Sequence, residues 1–291
     1  MNLVIQGEDV QTRDLKDLHR LVEGEAIERI SDSAFRITRA AERRAEVAAH
    51  CALAKLDWGF VAEGRRFGDF ALLAMDMDST LISIECIDEI ADFAGRKAEV
   101  AAVTAAAMRG EIDWPESLRR RVKALAGLDE SALARVHAER LRFNPGAEAL
   151  LAAAKRNRVK TLLVSGGFTF FTDRVRERLG FDYAYSNTLD IAGGKLEGTV
   201  SGPLVDAHGK AGHVARLKRE LGIARERVVA IGDGANDLLM MAEAGTSIAY
   251  HAKPVVKAKA DYALDYVGLE GLLALFPDSS GLSGARPGSG K

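Results

Sequence analysis

With 291 residues, 47% of them hydrophobic and 28% charged, the chain has the make-up of an ordinary globular protein with room for one large domain or a main domain with appendages. A formal net charge of −2 gives no overall attraction to nucleic acid or anionic membrane, so neither is expected as a partner. No run approaches the roughly 18 apolar residues of a membrane span, and Cys51 and Cys86 are too few for a disulfide framework; with no basic-then-apolar leader, a reducing, cytoplasmic setting is expected.

In chain order, residues 1–68 read as a small α/β unit. Residues 2–6 and 26–38 have strand character, a helical pattern lies between them, and an Ala/Arg/Glu-rich helix runs over about 40–56. No catalytic cluster is visible there. The short pattern loosely resembles half of an amino-acid-sensing ACT-type domain, which leaves regulation, dimerisation into a homodimer or a plain structural role open for it. Over residues 69–276, apolar β-type runs (72–75, 161–164, 228–231 and 247–250) alternate with amphipathic helices. The expected fold is α/β, a doubly wound parallel sheet whose ligands bind at the carboxyl ends of the strands. Residues from about 86 to 143 interrupt that alternation with almost wholly helical composition, a helical cap above the active face. A second interruption, 187–200, reads as a hairpin about Gly193-Gly194. Residues 277–291, rich in Ser, Gly and Pro, are expected to be a disordered tail.

Chemistry concentrates after three strand-like runs. The first ends in Asp76-Met77-Asp78-Ser79-Thr80, the second in Ser165-Gly166-Gly167, the third in Asp233-Gly234-Ala235-Asn236-Asp237, with Lys210 between the last two. Carboxylates at the end of a buried strand are costly unless a cation or hydrogen bonds hold them. Together these ends offer acidic metal ligands, a hydroxyl and glycine amides for phosphate oxygens, and a fixed cation, the needs of phosphoryl transfer. Oxygen donors suit Mg2+. Zinc spacing and a nucleotide P-loop are both missing.

In that order, these motifs resemble those of the haloacid dehalogenase superfamily of phosphatases. Glu85-Cys86-Ile87-Asp88-Glu89-Ile90-Ala91, Glu116-Ser117-Leu118-Arg119-Arg120-Arg121-Val122 and Val164-Ser165-Gly166-Gly167-Phe168 are similar to the branch that hydrolyses phosphoserine. The resemblance spans residues 72–260. It implies Mg2+-dependent hydrolysis of the small molecule O-phospho-L-serine, the last step of serine biosynthesis, with Asp76 as nucleophile and Asp78 as general acid and base. It further implies metal held by the Asp76 carboxylate, the Asp78 backbone carbonyl and Asp233, with Asp237 behind them. Ser165, the Gly166 amide, Lys210 and Asn236 would bind the phosphoryl oxygens. Glu85 would take the substrate ammonium and Arg121 its carboxylate, with Trp114 closing the pocket and Met108 lining it. Among the three adjacent arginines, Arg121 lies nearest the apolar stripe of Leu118, Val122 and Leu125 and so faces inward. Lys210 could instead be a solvated lysine, and Asp237 a carboxylate in a helix's first turn. His208, His213 and Cys86 are read as incidental to the chemistry. A phosphotransferase to an acceptor such as homoserine, or a phosphatase for another small phosphomonoester, would use the same core residues.

Overall fold

The structure, a computed structural model, describes residues 1–278. The first element, β1 (Asn2–Gln6), is followed by helix Thr12–Leu21, β2 (Ile27–Arg29), β3 (Ala34–Ile37), helix Arg44–Ala54 and β4 (Asp57–Val61). The four strands form an antiparallel sheet in the order β2-β3-β1-β4. This is a complete βαββαβ alternation of the ferredoxin-like kind and not the half-unit expected. Residues 26–38 are two strands, because the amides of Ile30 and Ser31 turn back to the Ala34 carbonyl. The strand β4 went unread because Asp57 and Gly59 sit in it, both poor strand residues. Alternation along β1 sorts its side chains: Leu3 and Ile5 pack under the helices with Leu18, Val47 and Phe60. Val4 and Val61 point the other way and belong to the same apolar cluster as Phe70, Leu272 and Phe276 of the main body.

Polar contacts seal that seam. Asp57, 4% exposed, accepts hydrogen bonds from the amides of Asp265, Tyr266 and Val267 at 2.8, 2.8 and 3.2 Å. Tyr262 donates its hydroxyl to the Phe60 carbonyl at 3.0 Å. Gly59 lies so near the Tyr262 ring that a Cβ would stand 2.5 Å from Cδ1, which explains glycine there.

The main sheet comprises β5 (Leu72–Met75), β6 (Lys160–Phe168), β7 (Tyr183–Ala192), β8 (Lys195–Ser201), β9 (Val228–Gly232), β10 (Thr246–Tyr250) and β11 (Tyr262–Leu264). Its order is β11-β10-β9-β5-β6-β7-β8, with every pair parallel except β7 and β8. Apolar clusters cover both faces, the doubly wound arrangement expected from near-continuous runs such as Leu72–Met75. The strand order reverses at β5, whose neighbours are β6 and β9, and that switch point marks where ligands bind.

The cap lies between β5 and β6: helices Cys86–Phe93, Lys97–Met108, Trp114–Lys123 and Ser131–Arg135. The third of these starts cleanly because Asp113 caps it, accepting from the Glu116 amide at 2.8 Å, with Pro115 in its first turn. The cap rests on the β7–β8 hairpin through reciprocal backbone bonds: Gly127 and Glu130 donate to Leu196 and Gly194, and Leu196 donates to Leu128. At the other end of the chain, the first two residues of the expected tail, Pro277 and Asp278, are held against the main body. The Pro277 carbonyl accepts from Phe67, and Asp278 pairs with Arg156 at 2.7 Å; the rest of that expectation, 279–291, lies outside the described residues.

Candidate active site

Strand β5 ends by handing the chain to a tight turn. The Asp76 amide still bonds to Ile231 of β9, while the amides of Thr80, Leu81 and Ile82 all converge on the Met77 carbonyl. Ser79 takes the left-handed conformation, φ +56°, held by its amide on Ile84. This turn sets Asp76 and Asp78 at the mouth of the sheet beside Asp233, which follows β9. Thr80, fully buried, donates its hydroxyl to Asp233 Oδ1 at 3.0 Å.

Lys210 lies in the first turn of helix Ala207–Leu221, capped by Asp206 through the Gly209 amide. It is 1% exposed and its Nζ stands 2.7 Å from both Asp76 Oδ1 and Asp237 Oδ1. It is therefore no solvated lysine. Burial alone would lower its pKa, but Asp237 and Asp76 raise it, so the cation is permanent. Asp237 is likewise no mere helix-start carboxylate: its second oxygen accepts the amides of Asp233 and Gly234 at 3.2 and 3.0 Å.

The carboxylates outnumber their cation. Oxygens of Asp76, Asp233 and Asp237 lie within 4.8 Å of one another. Burial first and Asp237 next push the Asp76 carboxyl well up and carry Asp233 to about 6. Clustered oxygen donors with a deficit of positive charge fit a hard divalent ion. Asp237 has both oxygens engaged by protein donors, which leaves Asp76 and Asp233 as the better direct ligands.

Asp78 faces differently. It accepts from the Cys86 amide (3.2 Å) and, more weakly, from the Ser165 hydroxyl (3.4 Å), and burial raises its pKa. Ser165 Oγ itself accepts from the Gly167 amide at 2.8 Å. Gly167 must be glycine, because a Cβ there would lie 2.7 Å from Asp78 Oδ2.

Above these groups is a cavity of about 600 Å³ shared by core and cap. Its walls include Asp76, Asp78, Gly166, Lys210, Asp233 and Asn236 from below. Glu85, Trp114, Met108 and Arg121 close it from above. The chain thus brings every site residue expected from the sequence to one place, Ser165 standing buried just behind the wall. Arg121 is half-buried while Arg119 and Arg120 are exposed. Glu85 keeps an exposed face at the cavity mouth and accepts from the Ser79 hydroxyl at 2.7 Å; desolvation of its carboxyl by the surrounding protein, followed by the Asp78 charge, lifts it to about 7. Met108 lines the mouth yet is 72% exposed. Sequence reasoning missed Thr80 as a partner of Asp233, although it stands inside the first motif. It also missed Lys253, whose amide bonds to the Asp233 carbonyl and whose side chain lines the cavity. No motif flags that lysine.

A family model for haloacid dehalogenase-like hydrolases matches residues 73–242, the span holding all of these groups. The chain belongs to that family. A second model, for a domain of unknown function (DUF4072), matches residues 3–47. Within the hydrolase family the chain is 54% identical over 215 residues to a phosphoserine phosphatase of a Polaromonas species, covering 72% of this chain and 91% of that protein. Among solved structures it is similar to a probable phosphoserine phosphatase of Vibrio cholerae, with a TM-score of 0.83, 37% identity and coverage of 94% and 85% of the two chains. A substrate-bound phosphoserine phosphatase matches with a TM-score of 0.67 and 37% identity, over 71% of this chain and 98% of that one.

Proposed function

We propose that this hydrolase is a phosphoserine phosphatase, releasing L-serine and phosphate from O-phospho-L-serine as the last step of serine biosynthesis in the cytoplasm. The observation that carries the substrate is Arg121. Its neighbour Arg120 pairs with Glu116 at 2.7 Å. Arg121 lines the cavity with no carboxylate at ion-pair distance among the described residues, and burial lowers its pKa. A guanidinium kept partly desolvated and unpaired is arranged to receive a carboxylate as a fork. Glu85 on the same side is the complement for an ammonium. With the carboxylate cluster beneath, the cavity matches a zwitterion carrying a phosphate.

In this reading the Asp76 carboxylate attacks phosphorus, and the serine oxygen leaves with a proton from Asp78, which its burial keeps protonated more readily than an exposed aspartate. Asp78, now ionised, takes a proton from the water that hydrolyses the aspartyl-phosphate and restores Asp76. Lys210, Ser165, the Gly166 amide and Asn236 hold the phosphoryl oxygens while charge builds on them. Asp76, Asp233 and the Asp78 carbonyl would hold Mg2+, with Asp237 fixing Asp233 and Lys210. When bound, the ion supplies the positive charge that keeps Asp76 ionised and offsets the phosphoryl oxygens.

The test is phosphate release from phosphoserine, compared with p-nitrophenyl phosphate, in the parent and in Arg121→Ala. The variant should lose roughly 10² or more of kcat/KM on phosphoserine, as expected for an unpaired buried charge contact, and little on the aryl ester. Equal losses on both substrates would refute the assignment of the carboxylate site, and a parent that ignores phosphoserine would refute the function.

A further inference from the structure

The phosphate-binding segment is an excursion from strand β6. Val164 pairs with Tyr185 and Phe168 with Asn187, so β6 advances four residues while β7 advances two. Ser165, Gly166 and Gly167 are pushed out of the ladder, as in a large bulge beside a functional site. Their backbone groups need partners other than strand neighbours.

Asn187 supplies one. It is 2% exposed, its Nδ2 donates to the Gly166 carbonyl at 2.9 Å, and its Oδ1 accepts the Val205 amide at 2.8 Å. Val205 belongs to the segment that enters helix Ala207–Leu221, whose first turn carries Lys210. A carbonyl can only accept and an amide N–H can only donate, so a single orientation of the Asn187 amide satisfies both. The Gly166–Gly167 peptide is thereby clamped from two sides: its carbonyl by Asn187 and its N–H by Ser165 Oγ. That second bond occupies a lone pair of Ser165 Oγ and leaves its hydroxyl proton for Asp78, at 3.4 Å, or for a phosphoryl oxygen.

We infer that Asn187 is a positioning residue for phosphate, one side chain that locks the Ser165-Gly166-Gly167 excursion to the Lys210 segment. It touches no substrate. It rests on the phosphatase reading, since it concerns the end of the cavity given there to the phosphoryl group. Asn187 bonds to neither Glu85 nor Arg121 and stands outside the cavity lining, so its loss should be felt by phosphate and not by the serine moiety.

The experiment compares the full chain, Asn187→Ala and Asn187→Asp in Mg2+ buffer. Binding of inorganic phosphate is measured by calorimetry, alongside KM for phosphoserine, inhibition by L-serine and the melting temperature. Asn187→Ala leaves a buried carbonyl and a buried amide unpaired, and should weaken phosphate binding and raise KM about tenfold. L-serine inhibition should stay unchanged. Asn187→Asp keeps the acceptor for Val205 but turns an oxygen toward the Gly166 carbonyl; it should weaken phosphate at least as much, and it serves if the alanine variant fails to fold. Parallel losses of phosphate and serine affinity, or a lowered melting temperature with phosphate affinity intact, would overturn the inference. A parent that binds phosphate but never turns over phosphoserine would instead count against the function, with the phosphate comparison still decisive for Asn187.

Discussion

Trp114 of the cap stands directly against Gly166 of the core: a Cβ on that glycine would lie 2.8 Å from Cζ2 of the indole. The contact joins the two walls of the cavity, at the end that the proposed function gives to the phosphoryl group. Gly166→Ala should therefore hold the cap off the core and reduce kcat/KM at least about tenfold. Adding Trp114→Ala should recover part of that loss, because residues in contact give non-additive effects. Steady-state kinetics on the two single variants and the double variant reads the coupling; strict additivity would mean that the indole and the loop do not meet in the working enzyme.

Glu85 should govern the acid side of substrate binding. Its carboxyl is raised to about 7 by desolvation and then by Asp78, so the free enzyme carries it increasingly protonated as pH falls below that value. An ammonium requires the carboxylate, so KM for phosphoserine should climb as pH drops from 8 to 6, roughly tenfold per unit at the lower end. In Glu85→Gln, KM should be high throughout and nearly flat with pH. KM profiles over that range check both parts.

Removing the fixed cation should expose its second role. In Lys210→Met the buried carboxylates of Asp76 and Asp237 lose their shared partner, which should cost roughly 3–5 kcal/mol of stability as well as activity. Added Mg2+ should raise the melting temperature of this variant more than that of the parent, since the ion would neutralise the same cluster. Thermal unfolding with and without chelator measures the difference.

The seam at Asp57 should leave a pH signature opposite to that of most carboxylates. Burial outweighs the three amide donors and raises Asp57 from 3.8 to about 6. A group raised in the folded state gives stability that is full below its unfolded pKa and is lost as pH rises through the folded one. At about 1.4 kcal/mol per unit, the shift amounts to roughly 3 kcal/mol. Between pH 4 and 7 the parent should therefore lose more stability than Asp57→Asn, as read by urea unfolding at several pH values.

Much of the site was legible because its residues announce themselves locally. Strand β5 is an unbroken apolar run followed at once by two aspartates, and Arg121 follows from its place beside Leu118 and Val122. Burial of Lys210 was not legible, since the partners that bury it come from the ends of two distant strands. Asn187 gave no signal at all: one asparagine in a hairpin strand looks like any other until the register shift in β6 creates a carbonyl for it to hold. The N-terminal unit was under-read for a related reason. Its strand β2 is three exposed residues and β4 contains Gly59, whose requirement comes from Tyr262 some two hundred positions later.

That seam also bears on how the molecule comes apart. Val4 and Val61 share one oily interior with Phe70, Leu272 and Phe276, so severing the chain near Asp69 would bare greasy surface on both fragments. The leading unit behaves as a wedge built into the catalytic body, and heat should melt the two together in a single calorimetric peak.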